Sequence, residues 1–332
     1  MFVPQYIIFL LTLSLSTSGY AYQHWTRHTS IGQGPRQEHA VAKLGSKLYL
    51  IGGVYYNNTY GVETTNRIEA FDTQGELWHV AAPLPQPVNH PNAASVGGKI
   101  YVLGSLGAGG NWTALRETYA YDPFLDAWQS LAPLPFGTER GSSAVGVWNN
   151  TIYLAGGMQF LEIIPPFQQN SVAWTSAYNV EEDTWTTDLP PLPARRQHVG
   201  GVVVGSTFYV IGGREDGIDQ YRNTTFALDL RNPVAWRTLA PMPTARGSLA
   251  CAAIKTWIYC FGGEGDPSNP EHVFDEVEAY DTESDVWYRL PPMQVPRHGT
   301  GAVAFGDSIY IPGGGIKTAM APVGIVDSFR HV

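Results

Sequence analysis

One spacing constrains this chain more than any other: an arginine followed sixteen residues later by a glycine pair. In RQEHAVAKLGSKLYLIGG it joins Arg36 to Gly52, and it recurs from Arg140 to Gly156, Arg196 to Gly212, Arg246 to Gly262 and Arg297 to Gly313, with a sixth copy from Val88 to Gly104. A tyrosine stands three residues before the first glycine every time: Tyr49, Tyr101, Tyr153, Tyr209, Tyr259 and Tyr310. Between them lie Gly45-Ser46, Gly97-Gly98, Asn149-Asn150, Gly205-Ser206, Lys255-Thr256 and Gly306-Asp307, and five of these six pairs favour the positive φ of a two-residue hairpin turn. Each copy therefore begins with two antiparallel strands, a and b.

Downstream, IEAFD, TYAYD, TFALD and VEAYD alternate as strands do and end at Asp72, Asp122, Asp229 and Asp281, with Trp78, Trp128, Trp236 and Trp287 six or seven residues later. In the third copy Asn179 and Trp185 take these places. These segments are strands c and d, and proline-rich exits such as AAPLP and LAPMP lead to the next copy. After VGIVDSFRHV no further tryptophan follows, but Trp25 lies eleven residues before Arg36, as Trp185 lies before Arg196. The N-terminal strand is thus expected to complete the last blade and remove the free edges of an open ring.

This set of features resembles the kelch family of β-propellers and covers nearly the whole chain. The resemblance implies an all-β, six-bladed propeller of four-stranded antiparallel blades, a single domain over residues 22–332, with strand a innermost. Small residues agree with that placement, since Ala40-Val41-Ala42, Ala144-Val145-Gly146, Gly200-Gly201-Val202 and Ala250-Cys251-Ala252 would converge on the axis.

With 44% hydrophobic and 15% charged residues the chain can bury a large core, and a net charge of −9 with no basic block argues against nucleic acid as a partner. The apolar run Val3 to Ala21 reads as a signal peptide, residues 1–21, cut before Tyr22; the mature protein would be secreted, free of the membrane and monomeric. Sequons at Asn57, Asn111, Asn149 and Asn223 fit that route and would make it a glycoprotein. Cys251 and Cys260 oppose each other across one hairpin, so either a cross-strand disulfide or two buried thiols is expected.

In such a ring the b–c loops share a face with the d-to-a connections, and they differ widely, from VYYNNTYGVETT to EGDPSNPEHVFDE. Function is expected there. Arg36, Arg140, Arg196, Arg246 and Arg297 would form an incomplete ring at the channel mouth, able to bind an anionic ligand or to hold neighbouring blades together. Glu38, His39, His90, His198, Arg214, Glu215, Arg222, Glu264, His272, His298 and Lys317 break the symmetry and are candidates at the mouth, with Tyr55, Tyr56, Trp112 and Phe160 as apolar walls. The leading expectation is a propeller binding a small, anionic or carbohydrate ligand.

The alternative is an enzyme, and two kelch members suggest its chemistry. Galactose oxidase needs a Tyr-His pair and a Cys-Tyr crosslink that have no counterpart here. Bacterial sialic-acid epimerases resemble this chain more closely; their loop Glu and Arg would correspond to Glu215 and Arg222, or to Glu264 as base, in a cofactor-free isomerase or cyclase. Resemblance to small secreted kelch proteins of filamentous fungi implies a place in secondary-metabolite biosynthesis. No cofactor and no metal are expected, hydrolase motifs are absent, and blades leave no room for the BTB and BACK regions of adaptors.

Overall fold

The computed structural model describes residues 24–330, and every regular element among them is a β-strand. The expected signal peptide lies outside the described residues. Strands Ala40–Leu44, Lys47–Ile51, Ile68–Asp72 and Leu77–Ala81 pair in sequence order as the first blade. Four more blades repeat that order from Ala93–Val96, Ala144–Trp148, Gly200–Val204 and Ala250–Ile254. The sixth contains Val303–Phe305, Ser308–Pro312 and Val326–Arg330, and its outer strand is His24–Arg27 from the other end of the chain. Trp25 opposes Phe329 and Arg27 opposes Asp327, so the ring closes as the missing tryptophan predicts.

Local chemistry explains the regularity. Gly45, Gly97, Asn149, Gly205, Lys255 and Gly306 all take positive φ at the a–b turns, including Lys255, whose residue type does not favour it. Asp72, Asp122, Asn179, Asp229 and Asp281 each accept a backbone N–H two residues on, at 2.9 to 3.1 Å, which fixes the c–d turns.

Each d-strand tryptophan joins its blade to the one before. Trp128, Trp185, Trp236 and Trp287 donate their indole N–H to Ala82, Ala132, Pro190 and Ala240 carbonyls at 2.8 to 2.9 Å. Apolar clusters fill the spaces between blades, such as Ile51, Ile68, Ile100, Val102 and Tyr121 between the first two.

The glycine pairs follow from the same approach of blades. A Cβ on Gly52 would lie 2.5 Å from Val88 O, and one on Gly262 2.2 Å from Arg297 O. The second glycine then donates to that carbonyl, Gly53 to Val88 at 2.8 Å and Gly263 to Arg297 at 2.9 Å. A side chain there would drive neighbouring blades apart.

Candidate functional site

The arginines do not face the funnel, which corrects the expectation of a guanidinium ring at its mouth. Arg36, Arg140, Arg196, Arg246 and Arg297 are at most 2% exposed and lie within the blades. Three of them reach an acid at the second position of the blade's own strand c: Arg36 pairs with Glu69, Arg246 with Glu278 at 3.1 Å and Arg297 with Asp327 at 3.0 Å. Arg140 has Ser176 there, at 3.1 Å, and donates to the carbonyls of Thr138, Leu154 and Gly156. Arg196 lies over Phe226 and pairs with Glu215 at 2.7 Å, while Val88, the gap in the series, has Tyr119 at the matching position. Burial pulls the Arg140 guanidinium down to about 10, so it stays charged at neutral pH.

Two residues beyond each arginine position the chain turns toward the axis. Glu38, His90, Ser142, His198, Ser248 and Gly299 all adopt positive φ, between 49° and 62°. Each backbone N–H donates to the carbonyl of its counterpart in the preceding blade: Glu38 to Gly299 (2.7 Å), His90 to Glu38 (2.8 Å), Ser142 to His90 (2.9 Å), His198 to Ser142 (3.3 Å), Ser248 to His198 (2.9 Å) and Gly299 to Ser248 (3.1 Å). The six bonds close an annulus around the channel. Left-handed backbone in five non-glycine residues costs roughly 1–3 kcal/mol each, and its recurrence in every blade makes it part of the architecture.

The annulus divides two spaces. Beneath it runs a channel lined by the small residues of the a strands, with His39 among them, its Nε2 3.0 Å from Pro312 O. Above it is a cavity of about 250 Å³ whose floor carries Glu38, His90, His198, Arg214, Glu264 and His298. Glu38 and His39 are neighbours in sequence and lie on opposite sides.

The floor residues contact one another in a closed circuit. Glu38 Oε2 lies 3.1 Å from His90 Nε2, which lies 3.0 Å from His198 Nε2. The Arg214 guanidinium is 3.0 Å from His198 and pairs with Glu264 at 2.8 Å. His298 Nδ1 stands 3.7 Å from Glu264 and 3.8 Å from Glu38. Glycine gives two of these groups their room: a Cβ on Gly299 would lie 2.3 Å from Glu38 Oε1, and one on Gly247 2.8 Å from the Arg214 side chain. Burial and the adjacent Arg214 charge hold His198 well below the usual imidazole range. Burial opposes ionisation of Glu38, but His90, His198 and His298 more than offset it and the carboxyl is held far below its usual range.

The position after each glycine pair decides the polarity of the wall. It carries Val54, Leu106 and Met158 in the first three blades and Arg214, Glu264 and Gly315 in the others. Val54, Leu106 and Met158 pack under Trp112, Val62, Leu161 and Ile163, while Phe167, Ile218 and Met320 complete an apolar hood. Strand Phe160–Glu162 pairs with Asn111–Thr113 of the second blade's extended strand and holds Trp112 and Leu161 over the cavity.

Of the remaining candidates, Glu215 and Arg222 form an ion pair at 2.7 Å away from the cavity lining, and Glu215 is committed to Arg196 as well. His272 and Lys317 lie outside it, Lys317 pairing with Glu271 at 3.2 Å. Asn111 and Asn149 are exposed. Asn223 donates to Met242 O at 2.9 Å, as Asn66 does to Leu84 O at 3.1 Å, so that amide already has a bond that a sugar would displace. Cys251 and Cys260 are directly paired across strands a and b and are joined as a disulfide. Of the apolar walls expected from the sequence Trp112 lines the cavity, while Tyr55, Tyr56 and Phe160 do not; Leu161, Ile163, Phe167, Ile218 and Met320 carry no signal in the repeat that would have marked them.

Comparison with known proteins bears on the fold. A family model described as the KLHDC2/KLHL20/DRC7 Kelch-repeats domain matches residues 140–314, and one described as the Kelch motif matches residues 35–85. Kelch-like protein terF of Aspergillus terreus is 39% identical over 89% of this chain and 64% of its own length. Kelch-like protein 36 of Bos taurus is 27% identical over 73% of the chain and 38% of its own length, and kelch-like protein 23 of Homo sapiens 25% over 80% and 44%. The chain thus spans less than two thirds of the length of these relatives.

Proposed function

This chain belongs to the kelch-repeat family of β-propellers, and on that premise we propose that it binds a small molecule, with an apolar body and a hydrogen-bonding head, in the cavity above the annulus. One observation carries the reading: an apolar hood, built mainly by the first three blades with Ile218 and Met320, covers a charged floor drawn from blades one, two, four, five and six. Apolar walls with a few convergent polar groups are the usual makeup of small-ligand sites. With the five arginines turned into the blades, the basis for a strongly anionic ligand is gone, since Arg214 is balanced by Glu264 and Glu38 remains. A hydroxyl or carbonyl head on an alicyclic or aromatic body fits better than a sugar.

A second reading, isomerisation or cyclisation of the same ligand class, is favoured by Glu38 and Glu264 lying beside histidines under a water-excluding hood. Glu264 would serve as base, with Glu215 and Arg222 left to the scaffold. Likeness to a protein of a filamentous fungus suits a secondary-metabolite role. Secretion as a monomer completes the proposal, supported by the Cys251–Cys260 bond and the exposed sequons at Asn111 and Asn149.

A thermal-shift panel of polyketide-like phenols, terpenoid alcohols, uronic acids, sialic acids and neutral sugars tests the binding claim. Compounds with apolar bodies should raise the melting temperature, and Ile163→Asp and Trp112→Ala should abolish the rise. A response confined to sugars, or one indifferent to both substitutions, would sink it.

A further inference from the structure

We propose that Glu38, His90 and His198 form a binding site for one divalent first-row transition ion, of the zinc or ferrous type, at the floor of the cavity. The site shares the cavity of the proposed ligand but does not rest on that reading.

Convergence is the first ground. His90 Nε2 lies 3.0 Å from His198 Nε2 and 3.1 Å from Glu38 Oε2, with 3.9 Å between the last two, so three ligand-type atoms from three blades converge. Donors bound at about 2.0–2.2 Å around one ion stand roughly 3.0–3.5 Å from each other. Two imidazoles and a carboxylate on one side, with the cavity on the other, form the donor set of open zinc and non-haem iron sites.

The second ground is the placement of protons. His90 Nδ1 lies 2.7 Å from Asn89 Oδ1, and the Asn89 amide nitrogen donates to Gly107 O at 3.0 Å, which fixes the amide's orientation. An amide oxygen only accepts, so Nδ1 of His90 carries a proton, and Nε2 is the ring nitrogen left to a bound ion in place of a proton shared with Glu38. Gln197 stands to His198 as Asn89 does to His90: its oxygen accepts from Nδ1 and its nitrogen donates to Gln169 Oε1 at 2.6 Å. Both Nε2 atoms, 3.0 Å apart beside the Glu38 carboxylate, are therefore the nitrogens that an ion bound between them would take in place of a shared proton. Asn89 and Gln197 occupy the same repeat position, so the orienting bond is built twice, in the manner of outer partners of metal-bound histidines.

The charged neighbours are compatible. Arg214 Nη2 is almost equidistant from the two nitrogens of His198, at 3.0 and 3.1 Å, which places it over the ring and out of line with the Nε2 lone pair. Its charge is met by Glu264. His298 is 2% exposed and donates Nε2–H to Lys317 O at 2.8 Å, which leaves its Nδ1, without a hydrogen-bond partner among the described residues, facing the same cluster.

The test uses untagged, chelator-treated protein titrated with Co²⁺ and Zn²⁺ at about pH 7.5, where imidazoles ligate as neutral bases. Calorimetry should show one ion per chain, and Co²⁺ should give visible d–d bands that Zn²⁺ displaces. The pair His90→Asn and His198→Asn should abolish both signals, and the exposed surface variant His79→Ala should keep them. Asn89→Ala and Gln197→Ala should weaken affinity by about 10–100-fold with stoichiometry unchanged. Glu38→Gln supplies a second loss-of-site variant if the double histidine variant fails to fold. Absence of saturable binding to the wild-type chain overturns the site, and so does binding that survives in Glu38→Gln and the double variant. These titrations contain no organic ligand, so their failure leaves the ligand reading standing; loss of that reading in the hood variants, with ion binding intact, leaves the metal site standing.

Discussion

Arg36 and Glu38 stand two residues apart in one motif and belong to different parts of the molecule. The arginine series repeats its side chain and its role, each member buried in a blade against carbonyls and, in three blades, a strand-c acid. The annulus series repeats only its backbone: glutamate, histidine, serine, histidine, serine and glycine share one conformation and one hydrogen bond while presenting unlike groups to the cavity. A scaffold with sixfold pseudo-symmetry needs like side chains at like places. Where the backbone repeats and the side chains do not, the scaffold is not what selects them.

The largest effect should come from the arginine series. Arg246→Ala leaves Glu278 buried with only the exposed Arg289 at 3.9 Å as a cation and should cost about 3–5 kcal/mol in urea unfolding. Adding Glu278→Leu should recover a large part of that loss, and no recovery would mean that the pair does more than neutralise itself.

Acid should act on both sides of the annulus. Burial, then the Arg36 charge, pulls His39 down to about 3, and His198 is lowered in the same direction. Each folded value lies below the unfolded value near 6.5, so the stability these histidines contribute is complete above about pH 6.5 and falls as pH drops. At pH 5 the loss from His39 should be on the order of 2 kcal/mol, with a loss of the same sign from His198, visible as a falling urea midpoint that His39→Phe flattens. A pH-independent midpoint between 5 and 7 would contradict the placement of both rings.

Breaking the Cys251–Cys260 bond closes the scale of scaffold effects. The double alanine variant should lose about 2 kcal/mol or less, because the two strands are already paired through a tight turn. The smallest effects belong to the hood: Ile218→Ser, at a side chain 51% exposed, should shift unfolding by less than about 0.5 kcal/mol while weakening any ligand-induced thermal shift. An exposed hood variant such as Ile218→Ser that destabilises as much as Arg246→Ala would erase the distinction between scaffold and site.

Much of this was legible in the chain itself. The sixteen-residue step, the tyrosines, the turn pairs and the tryptophans gave the blades, and the position of Trp25 gave the closing strand. A further signal is legible in the repeat: strand c carries Glu69, Glu278 and Asp327 in three of the five blades that have the arginine and Tyr119 in the blade that has Val88, which marks pairing inside those three blades. Glu38, His90, His198 and Glu264 were recognised as breaks in symmetry, and all four line the cavity. Glu215 and Arg222 were recognised by loop position, which fixes a face of the ring and says nothing of which side chain turns inward.

The sequence by itself determined the number of blades, their internal order and the closure, because each depends on residues near one another in the repeat: a turn pair, a capping Asp, an indole one strand away. Only the tertiary structure decided which polar residues meet. Glu38, His90 and His198 come from three blades and 160 residues of chain, and their contact depends on left-handed backbone and a ring of hydrogen bonds that exist only once the circle closes. The arginines turn inward for a reason internal to each blade, where a guanidinium is held by the blade's own carbonyls or acids, a buried strand-c acid in three of them, through charge-assisted hydrogen bonds that loop position in the sequence does not reveal.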